Sequence, residues 1–222
     1  MRLSHLALFD LDHTLIDFDS GMAWCEVHER AGRLPPGSHA RYLACCQAYV
    51  RGEATLLDLH RLLVRPLNGL PADTLHAWQA AFSAAMAPCM SPWALDLVNR
   101  HRQAGHPCVL VTATSRLIAE PLARLLGLHH TLATEPALSG DGDVQDMPCW
   151  GSHKVARVEA WLSQHDHGGL AGMTSWFYSD AYSDLPLLQS VTHPVAVQPD
   201  GRLRAHARAR GWPIVERGEA RD

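Results

Sequence analysis

Two aspartates separated by a single residue, Asp10 and Asp12, carry the strongest chemical signal in the sequence. They directly follow the short apolar run of residues 6–9. If the backbone turns sharply after this run, both carboxylates can face one reaction centre, where one attacks phosphorus and the other transfers a proton. Pairs of aspartates also occur as simple capping or turn residues, and short motifs match by chance. The pair alone therefore leaves catalysis and a structural role equally open.

A second group of polar residues follows the apolar run of residues 109–111. The hydroxyl of Thr112 and the backbone N–H of Ala113 would lie where a helix begins, and such positions bind anions. A plain helix cap is the alternative interpretation, and we adopt it for Thr114 and Ser115. The segment therefore offers one predicted anion-binding hydroxyl, that of Thr112.

Lys154 is the only lysine among the nineteen basic residues of the chain, since all the others are arginine. It lies at the predicted start of a helix, where a compact ammonium group could contact a bound anion. Chance survival of a single lysine is the alternative explanation. The position of Lys154 nevertheless adds a cation to the predicted anion-binding groups.

Two more aspartates, Asp180 and Asp184, follow the apolar run of residues 176–178. With Asp10 and Asp12 they would form an all-oxygen site, which suits Mg²⁺, a hard cation that keeps several of its water ligands. The fifteen histidines are scattered, and their dense clusters lack cysteine partners at the spacing of zinc ligands. The sequence therefore predicts a magnesium site and no zinc site.

The elements that must position these residues are short apolar runs separated by helical patterns, which are typical of buried parallel strands. In an open α/β sheet, ligands gather beyond the carboxyl ends of such strands. We therefore predict an α/β fold in which Asp10, Thr112 and Asp180 converge. About one hundred residues separate Asp10 from Thr112, far more than one crossover helix requires. We interpret residues 17–88 as an insertion of three or four helices that lies over the strand ends.

The remaining residues, 1–16 and 89–222, are predicted to form the α/β core. Ser91 and Pro92 have the pattern of an N-cap followed by a proline, and they begin a helix that ends near Gly105. Further helices are expected at residues 115–126, 153–163 and 185–190. Late strands are expected at residues 194–197 and 213–215, and a turn inside a hairpin at residues 140–143.

The composition excludes several classes of protein. Apolar residues make up 47% of the chain and charged residues 19%, values that are typical of a globular domain and exclude disorder. The net charge of −4 argues against a nucleic-acid or polybasic membrane surface. The uncharged stretch of residues 74–95 contains Pro88 and Pro92, so we interpret it as two helices and not as a membrane span. Without a recognisable signal peptide or a C-x-x-C pair, we expect reduced thiols and a cytoplasmic protein.

Four motifs occur in an order and strand context that resemble the haloacid dehalogenase (HAD) superfamily. They are Asp10-x-Asp12-x-Thr14, Thr112, Lys154 and Asp180-x-x-x-Asp184. The helical insertion, residues 17–88, is similar to the C1-type cap of the phosphoserine-phosphatase-like branch, subfamily IB. The resemblance covers essentially the whole chain. It implies a Rossmann-like, doubly wound parallel sheet with an inserted helical cap domain.

The resemblance also implies roles for the motif residues. Asp10 would be the nucleophile and Asp12 the general acid and base. Mg²⁺ would be held by the Asp10 carboxylate, the backbone carbonyl of Asp12 and Asp180, with Asp184 in support. The phosphoryl group would be bound by Thr112, Ala113 and Lys154.

Three residues of the insertion are candidates for reading the substrate. Asp19 falls where phosphoserine phosphatases place a substrate-reading glutamate, so it is a candidate for binding a substrate amine. Arg61 and Arg65 lie near the position of the arginine that reads a substrate carboxylate in those enzymes.

The function that follows is a Mg²⁺-dependent phosphomonoesterase that acts on a small metabolite through an aspartyl-phosphate. Phosphoserine and histidinol phosphate are the leading candidate substrates. One alternative is a phosphotransferase, in which an acceptor alcohol replaces water on the same aspartyl-phosphate. Another is a receiver-like signalling module, which also uses an aspartate, a hydroxyl residue and a lysine at strand ends. Neither a nucleic-acid nor a membrane partner is expected, and the sequence gives no oligomeric state.

Overall fold

The computed structural model describes residues 4–138 and 144–217. These residues contain one six-stranded sheet with the strand order β3-β2-β1-β4-β5-β6, in which every neighbouring pair is parallel. The strands are β1 (His5–Phe9), β2 (Cys108–Ser115), β3 (His130–Thr134), β4 (Thr174–Ser179), β5 (His193–Val197) and β6 (Ile214–Val215). The order reverses at β1, as in doubly wound sheets. The predicted α/β class and Rossmann-like architecture are therefore confirmed.

The central strand β1 is apolar throughout because both of its faces are covered. Leu6 and Leu8 pack into one hydrophobic cluster, whereas Ala7 and Phe9 pack into another on the opposite face of the sheet. All four side chains are fully buried. Alternate side chains of a strand point to opposite faces, so a strand between two helical layers needs an unbroken apolar run.

Nine α-helices surround the sheet in the part of the chain that the structure describes. Four lie between β1 and β2: α1 (Ser20–Arg30), α2 (Ser38–Val50), α3 (Leu56–Val64) and α4 (Ala72–Met86). The others are α5 (Pro92–Gln103), α6 (Arg116–Leu125), α7 (Ser152–Gln164), α8 (Leu185–Ser190) and α9 (Gly201–Arg210). The N-cap at Ser91 forms as expected, because its side chain accepts a hydrogen bond from the Ala94 amide.

The four helices of the insertion share a hydrophobic cluster with one face of the sheet. Trp24 of α1 and Phe82 of α4 are fully buried in the cluster that contains Phe9 of β1. This packing holds the beginning of α1 beside the carboxyl end of β1. The division of the chain into a core and a cap of residues 17–88 stays a proposal.

Strand β3 is the main element that the sequence analysis did not predict. It is short and lies at the edge of the sheet, where it pairs only with β2 among the described strands. Only Ala133 and Thr134 of the strand are buried, so it lacks the continuous apolar run of β1. The turn predicted at residues 140–143 lies outside the described residues.

Two expectations from composition can be compared with the structure. All six cysteines have free thiols in the structure. Among the helices of residues 4–138 and 144–217, none has both the length and the apolar character that a membrane span requires.

Candidate active site

The chain turns sharply as it leaves β1, and this turn carries the two predicted catalytic aspartates. Residues 11–15 form one tight turn in which Asp12 and His13 depart from helical geometry. His13 adopts a left-handed backbone conformation with φ of 58°, and its side chain is exposed. Aspartate, asparagine and histidine are the non-glycine residues that tolerate this conformation best. The Asp10 and Asp12 carboxylates lie close enough that the charge of Asp12 raises the pKa of Asp10, although burial raises it more.

A buried ammonium group connects Asp10 to Asp184, the second of the aspartates that follow β4. Nζ of Lys154 lies 2.7 Å from Oδ1 of Asp10 and 2.7 Å from Oδ2 of Asp184. Ser179 also donates a hydrogen bond to Oδ2 of Asp184, at 2.8 Å. Burial alone would lower the pKa of Lys154, but the two carboxylates outweigh it and hold this pKa well above its usual range. Lys154 is therefore a fixed positive charge beside Asp10.

Thr14 links Asp10 to Asp180 through its hydroxyl group. This hydroxyl lies 3.2 Å from Oδ2 of Asp10 and 3.1 Å from Oδ1 of Asp180, and it accepts a hydrogen bond from the Asp180 amide. Burial and the charge of Asp10 raise the pKa of Asp180 to about 8. The Asp10 and Asp180 carboxylates resist ionising together because their charges repel. A divalent cation would stabilise both charged forms, so this pair of carboxylates suits cation binding.

The donor set also agrees with the preference of Mg²⁺ for oxygen ligands. Asp10, Asp180 and the backbone carbonyl of Asp12 supply oxygen only, and these residues would hold Mg²⁺ if it is bound. No three side chains of histidine, cysteine, aspartate or glutamate among the described residues converge as a metal cluster. The predicted set does not require one, since it uses two carboxylates and a carbonyl. Asp184 is engaged with Lys154, which fits a supporting role.

Strand β2 brings the predicted phosphate-binding residues to the same edge of the sheet. Its pairing with β3 is irregular between Val111 and Ser115, a bulge of the kind often found beside active sites. Thr112 is buried and lies inside this bulge, so the strand extends beyond the end that the sequence predicted. Thr134 donates a hydrogen bond at 2.6 Å to the carbonyl oxygen of Ala113, which orients the peptide between Ala113 and Thr114.

The family described as haloacid dehalogenase-like hydrolase matches this chain over residues 7–189. This chain belongs to that family. A histidinol-phosphatase of Neisseria meningitidis serogroup C is 29% identical over 219 residues, which cover 96% of this chain and 99% of the relative. A phosphoserine phosphatase of Mycobacterium tuberculosis is 38% identical over 120 residues, which cover 54% of this chain and 39% of the relative.

Solved structures agree with the fold. A protein of unknown function from Bordetella pertussis Tohama I is 35% identical, with a TM-score of 0.87 and coverage of 96% of this chain and 98% of that one. A phosphoserine phosphatase with an analogue of its phospho-aspartyl intermediate is 15% identical, with a TM-score of 0.62 and coverage of 100% and 96%. The latter likeness shows the fold alone. The predicted HAD superfamily membership and the prediction of an enzyme, a phosphatase of that superfamily, are confirmed.

In this HAD-like hydrolase, Asp12 is held by two donors from different parts of the chain. Its Oδ1 accepts a hydrogen bond from the Ser20 amide at 2.7 Å, and its Oδ2 accepts one from the hydroxyl of Thr114. Burial and the nearby Asp19 carboxylate raise the pKa of Asp12, while these hydrogen bonds oppose the rise. A carboxyl group with a raised pKa suits a residue that both gives and takes a proton.

The structure corrects the interpretation of Thr114 as a helix cap. Thr114 lies in β2 and donates to Asp12 instead of capping α6. Ser115 occupies the N-cap position of α6, but its side chain makes no capping hydrogen bond. Both residues lie in the irregular part of β2, which no local sequence pattern indicated.

Of the predicted cap residues of the HAD-like hydrolase, Asp19 lies beside the aspartate pair. Asp19 is the N-cap of α1 and accepts a hydrogen bond from the Met22 amide at 2.7 Å. Its charge raises the pKa of Asp12, after the larger effect of burial. Arg61 and Arg65 instead line a groove of about 370 Å³ beside α3, and the described residues that line this groove include none of the motif aspartates.

Tyr42 lies near Asp19 and Asp12, a placement that no sequence pattern indicated. It reaches from α2 to the beginning of α1, and its ring is buried. Burial and then the charge of Asp19 raise the pKa of Tyr42 well above its usual range, and Asp12 adds to the rise. The hydroxyl of Tyr42 therefore stays protonated next to two carboxylates. No local pattern in α2 marks this tyrosine, because its neighbourhood depends on the packing of α2 against α1.

Gly21 permits this approach, and its replacement by alanine is expected to destabilise the protein. A Cβ atom at residue 21 would lie 2.6 Å from Cζ of Tyr42 and 3.0 Å from a methyl carbon of Leu63. Because the ring is buried, we expect Gly21→Ala to lower the free energy of unfolding by about 1–3 kcal/mol, as overpacking does. Gly201→Ala, where a Cβ atom meets nothing within 4 Å, is the matched control. Urea unfolding that leaves both variants equally stable would contradict this account.

Proposed function

We propose that this protein is a Mg²⁺-dependent phosphomonoesterase that acts on a small amine-bearing metabolite through an aspartyl-phosphate on Asp10. The observation that carries the proposal is the contact between the buried Lys154 ammonium group and Asp10, at 2.7 Å. An anionic nucleophile meets an anionic phosphate only where fixed positive charge offsets the repulsion. Lys154 supplies that charge, and Thr112 and the Ala113 amide add donors for the phosphate oxygens.

In the first half of the reaction, Asp10 attacks phosphorus in line. The bond from phosphorus to the ester oxygen breaks as the bond to the Asp10 oxygen forms, and Asp12 gives its proton to the departing alcohol. Lys154 and Thr112 neutralise charge on the phosphoryl oxygens. Bound Mg²⁺, held by Asp10, Asp180 and the carbonyl of Asp12, would neutralise further charge on these oxygens.

In the second half of the reaction, water replaces the alcohol. Asp12, now a carboxylate, takes a proton from the water molecule, whose oxygen attacks phosphorus. The bond between phosphorus and Asp10 breaks, which releases inorganic phosphate and restores both aspartates. Asp12 thus serves as acid and then as base, and this alternation agrees with its raised pKa.

The charge around Asp12 supports an amine-bearing substrate. Asp19 places a carboxylate beside Asp12 at the beginning of α1, and the neutral hydroxyl of Tyr42 lies with them. A substrate ammonium group would be attracted to this end of the site. Histidinol phosphate and phosphoserine both carry an amine.

Two observations favour histidinol phosphate as the first of these substrates. The likeness to the Neisseria histidinol-phosphatase spans nearly all of both chains, including the helical insertion. Arg61 and Arg65 line a groove whose described lining includes none of the motif aspartates, which suits a substrate without a carboxylate. Histidinol phosphate lacks a carboxylate, whereas phosphoserine has one.

The test is phosphate release with Mg²⁺ from histidinol phosphate, phosphoserine, sugar phosphates and nucleotides. We expect kcat/KM for histidinol phosphate to exceed that for phosphoserine by about tenfold or more. EDTA should abolish turnover, and added Mg²⁺ should restore it. Activity that persists in metal-free protein would contradict the role of Mg²⁺, and a preference for phosphoserine would reassign the substrate. Transfer of phosphate to added glycerol in place of release would identify a phosphotransferase.

A further inference from the structure

The hydroxyl group of Thr114 makes a contact that the four motifs do not include. Thr114 lies in the bulge of β2, two residues after Thr112. It donates a hydrogen bond to Oδ2 of Asp12, and its oxygen also lies 3.3 Å from the hydroxyl oxygen of Ser20. A residue of the core sheet therefore contacts the predicted acid and base directly.

The second oxygen of Asp12 is held from the other side of the site. The Ser20 amide, in the first turn of α1, donates to Oδ1 of Asp12 at 2.7 Å. Asp12 itself lies in a non-helical part of its turn, so regular secondary structure does not fix its side chain. Two hydrogen bonds, one to each oxygen, fix the rotation of the carboxyl group. One donor comes from the sheet and the other from the helical insertion.

The backbone of Thr114 has a related role. Its amide donates a hydrogen bond to the hydroxyl oxygen of Thr112 at 3.2 Å. Thr114 therefore orients the predicted phosphate-binding hydroxyl with its N–H and the predicted proton donor with its O–H. Only the second of these interactions depends on the side chain, so a substitution can separate the two.

We propose that Thr114 is the positioning residue of Asp12, and that its hydroxyl directs the Asp12 carboxyl group towards the oxygen of the leaving alcohol. The inference rests on the proposed function, in which Asp12 transfers that proton. Positioned acid–base groups contribute about 10²- to 10⁴-fold to rates, and small displacements remove much of that contribution.

The leaving group distinguishes this role from a structural one. An alkyl phosphate releases a strongly basic alkoxide unless a proton arrives as the P–O bond breaks. Nitrophenyl phosphate releases a stable phenolate that needs little assistance. Because kcat/KM reports the steps up to the first irreversible one, it isolates the transfer of the phosphoryl group to Asp10 from its later hydrolysis.

The experiment compares kcat/KM for histidinol phosphate, or the best alkyl phosphate of the panel, with that for nitrophenyl phosphate. We expect Thr114→Val to lower the value for the alkyl ester by about 10²-fold, while the value for nitrophenyl phosphate falls by only a few-fold. Thr114→Ser keeps the hydroxyl and should restore most of the alkyl activity. An equal loss for both esters, no loss, or a serine variant as poor as the valine variant would overturn the inference.

Two further variants complete the design. Ser115→Ala removes the neighbouring buried hydroxyl, which has no hydrogen-bond partner among the described residues, and should leave both kcat/KM values unchanged. Loss of alkyl activity in that variant too would attribute the effect to packing of the bulge and overturn the inference. Asp12→Asn tests the proposed function separately. If Asp12→Asn keeps full alkyl activity, the proposed role of Asp12 fails whatever Thr114 does.

Discussion

Replacing Asp10 by asparagine is expected to lower phosphate release by about 10⁴-fold or more, the scale seen when an enzyme loses its nucleophile. The amide has nearly the same shape as the carboxylate but lacks a nucleophilic oxygen. It also removes the negative charge that Lys154 contacts and one of the carboxylates available to Mg²⁺. No other described carboxylate has the same contact with both Lys154 and Thr14. A substitute nucleophile is therefore not expected.

The measurement is initial-rate phosphate release with saturating Mg²⁺, accompanied by acid quenching to trap phosphoprotein. The unsubstituted enzyme should yield acid-stable, hydroxylamine-sensitive phosphoprotein, and Asp10→Asn should yield none. Asp96→Asn is the matched control, because Asp96 is an exposed carboxylate on α5 that contacts none of the motif residues. If Asp10→Asn retains more than a small fraction of the rate, or still becomes phosphorylated, Asp10 is not the nucleophile.

The convergence of the motif residues could be predicted because it follows from the topology of parallel sheets. Asp10, Thr112 and Asp180 lie at or just beyond the ends of apolar runs, and the carboxyl ends of parallel strands meet at one edge. Lys154 was recognisable because all the other basic residues of the chain are arginine. These signals are local, since each depends on one residue type beside one short pattern.

The contacts made by Thr114 and Tyr42 could not be predicted because they depend on long-range packing. Thr114 contacts Asp12, which lies 102 residues away in the sequence, because of a bulge that has no distinctive sequence pattern. Tyr42 lies in α2, a helix whose hydrophobic pattern is weak. Its ring reaches the beginning of α1 because Gly21 leaves room for it. Strand β3 was missed for a similar reason, because an edge strand needs fewer apolar residues. Its partner β2 determines its position.

The second large effect is expected for Lys154→Met, which should both abolish phosphate release and destabilise the fold. The Lys154 ammonium group is buried between Asp10 and Asp184, so its removal leaves two buried carboxylates without their counter-charge. Breaking a buried ion pair by removing one partner costs about 3–5 kcal/mol. We expect a fall of that size in the free energy of unfolding, measured by urea denaturation without Mg²⁺ at pH 8.

The pH dependence of that loss identifies its cause. Burial raises the pKa of both Asp10 and Asp184, so in the folded variant they bind protons at a higher pH than in the unfolded chain. An acid with a raised folded-state pKa loses stability as pH rises, and the destabilisation should therefore be smaller at pH 5 than at pH 8. A loss that is the same at both pH values would point to packing of the methionine instead.

A double variant, Lys154→Met with Asp184→Asn, separates stability from catalysis. It removes the charge of Asp184 together with its partner, and therefore leaves only Asp10 without a counter-charge. We expect it to recover part of the stability at pH 8 and none of the phosphatase activity, because the positive charge that offsets repulsion between Asp10 and phosphate is still missing. Recovery of activity along with stability would mean that Lys154 serves the fold alone. Recovery of neither would mean that Asp10 accounts for the whole electrostatic cost.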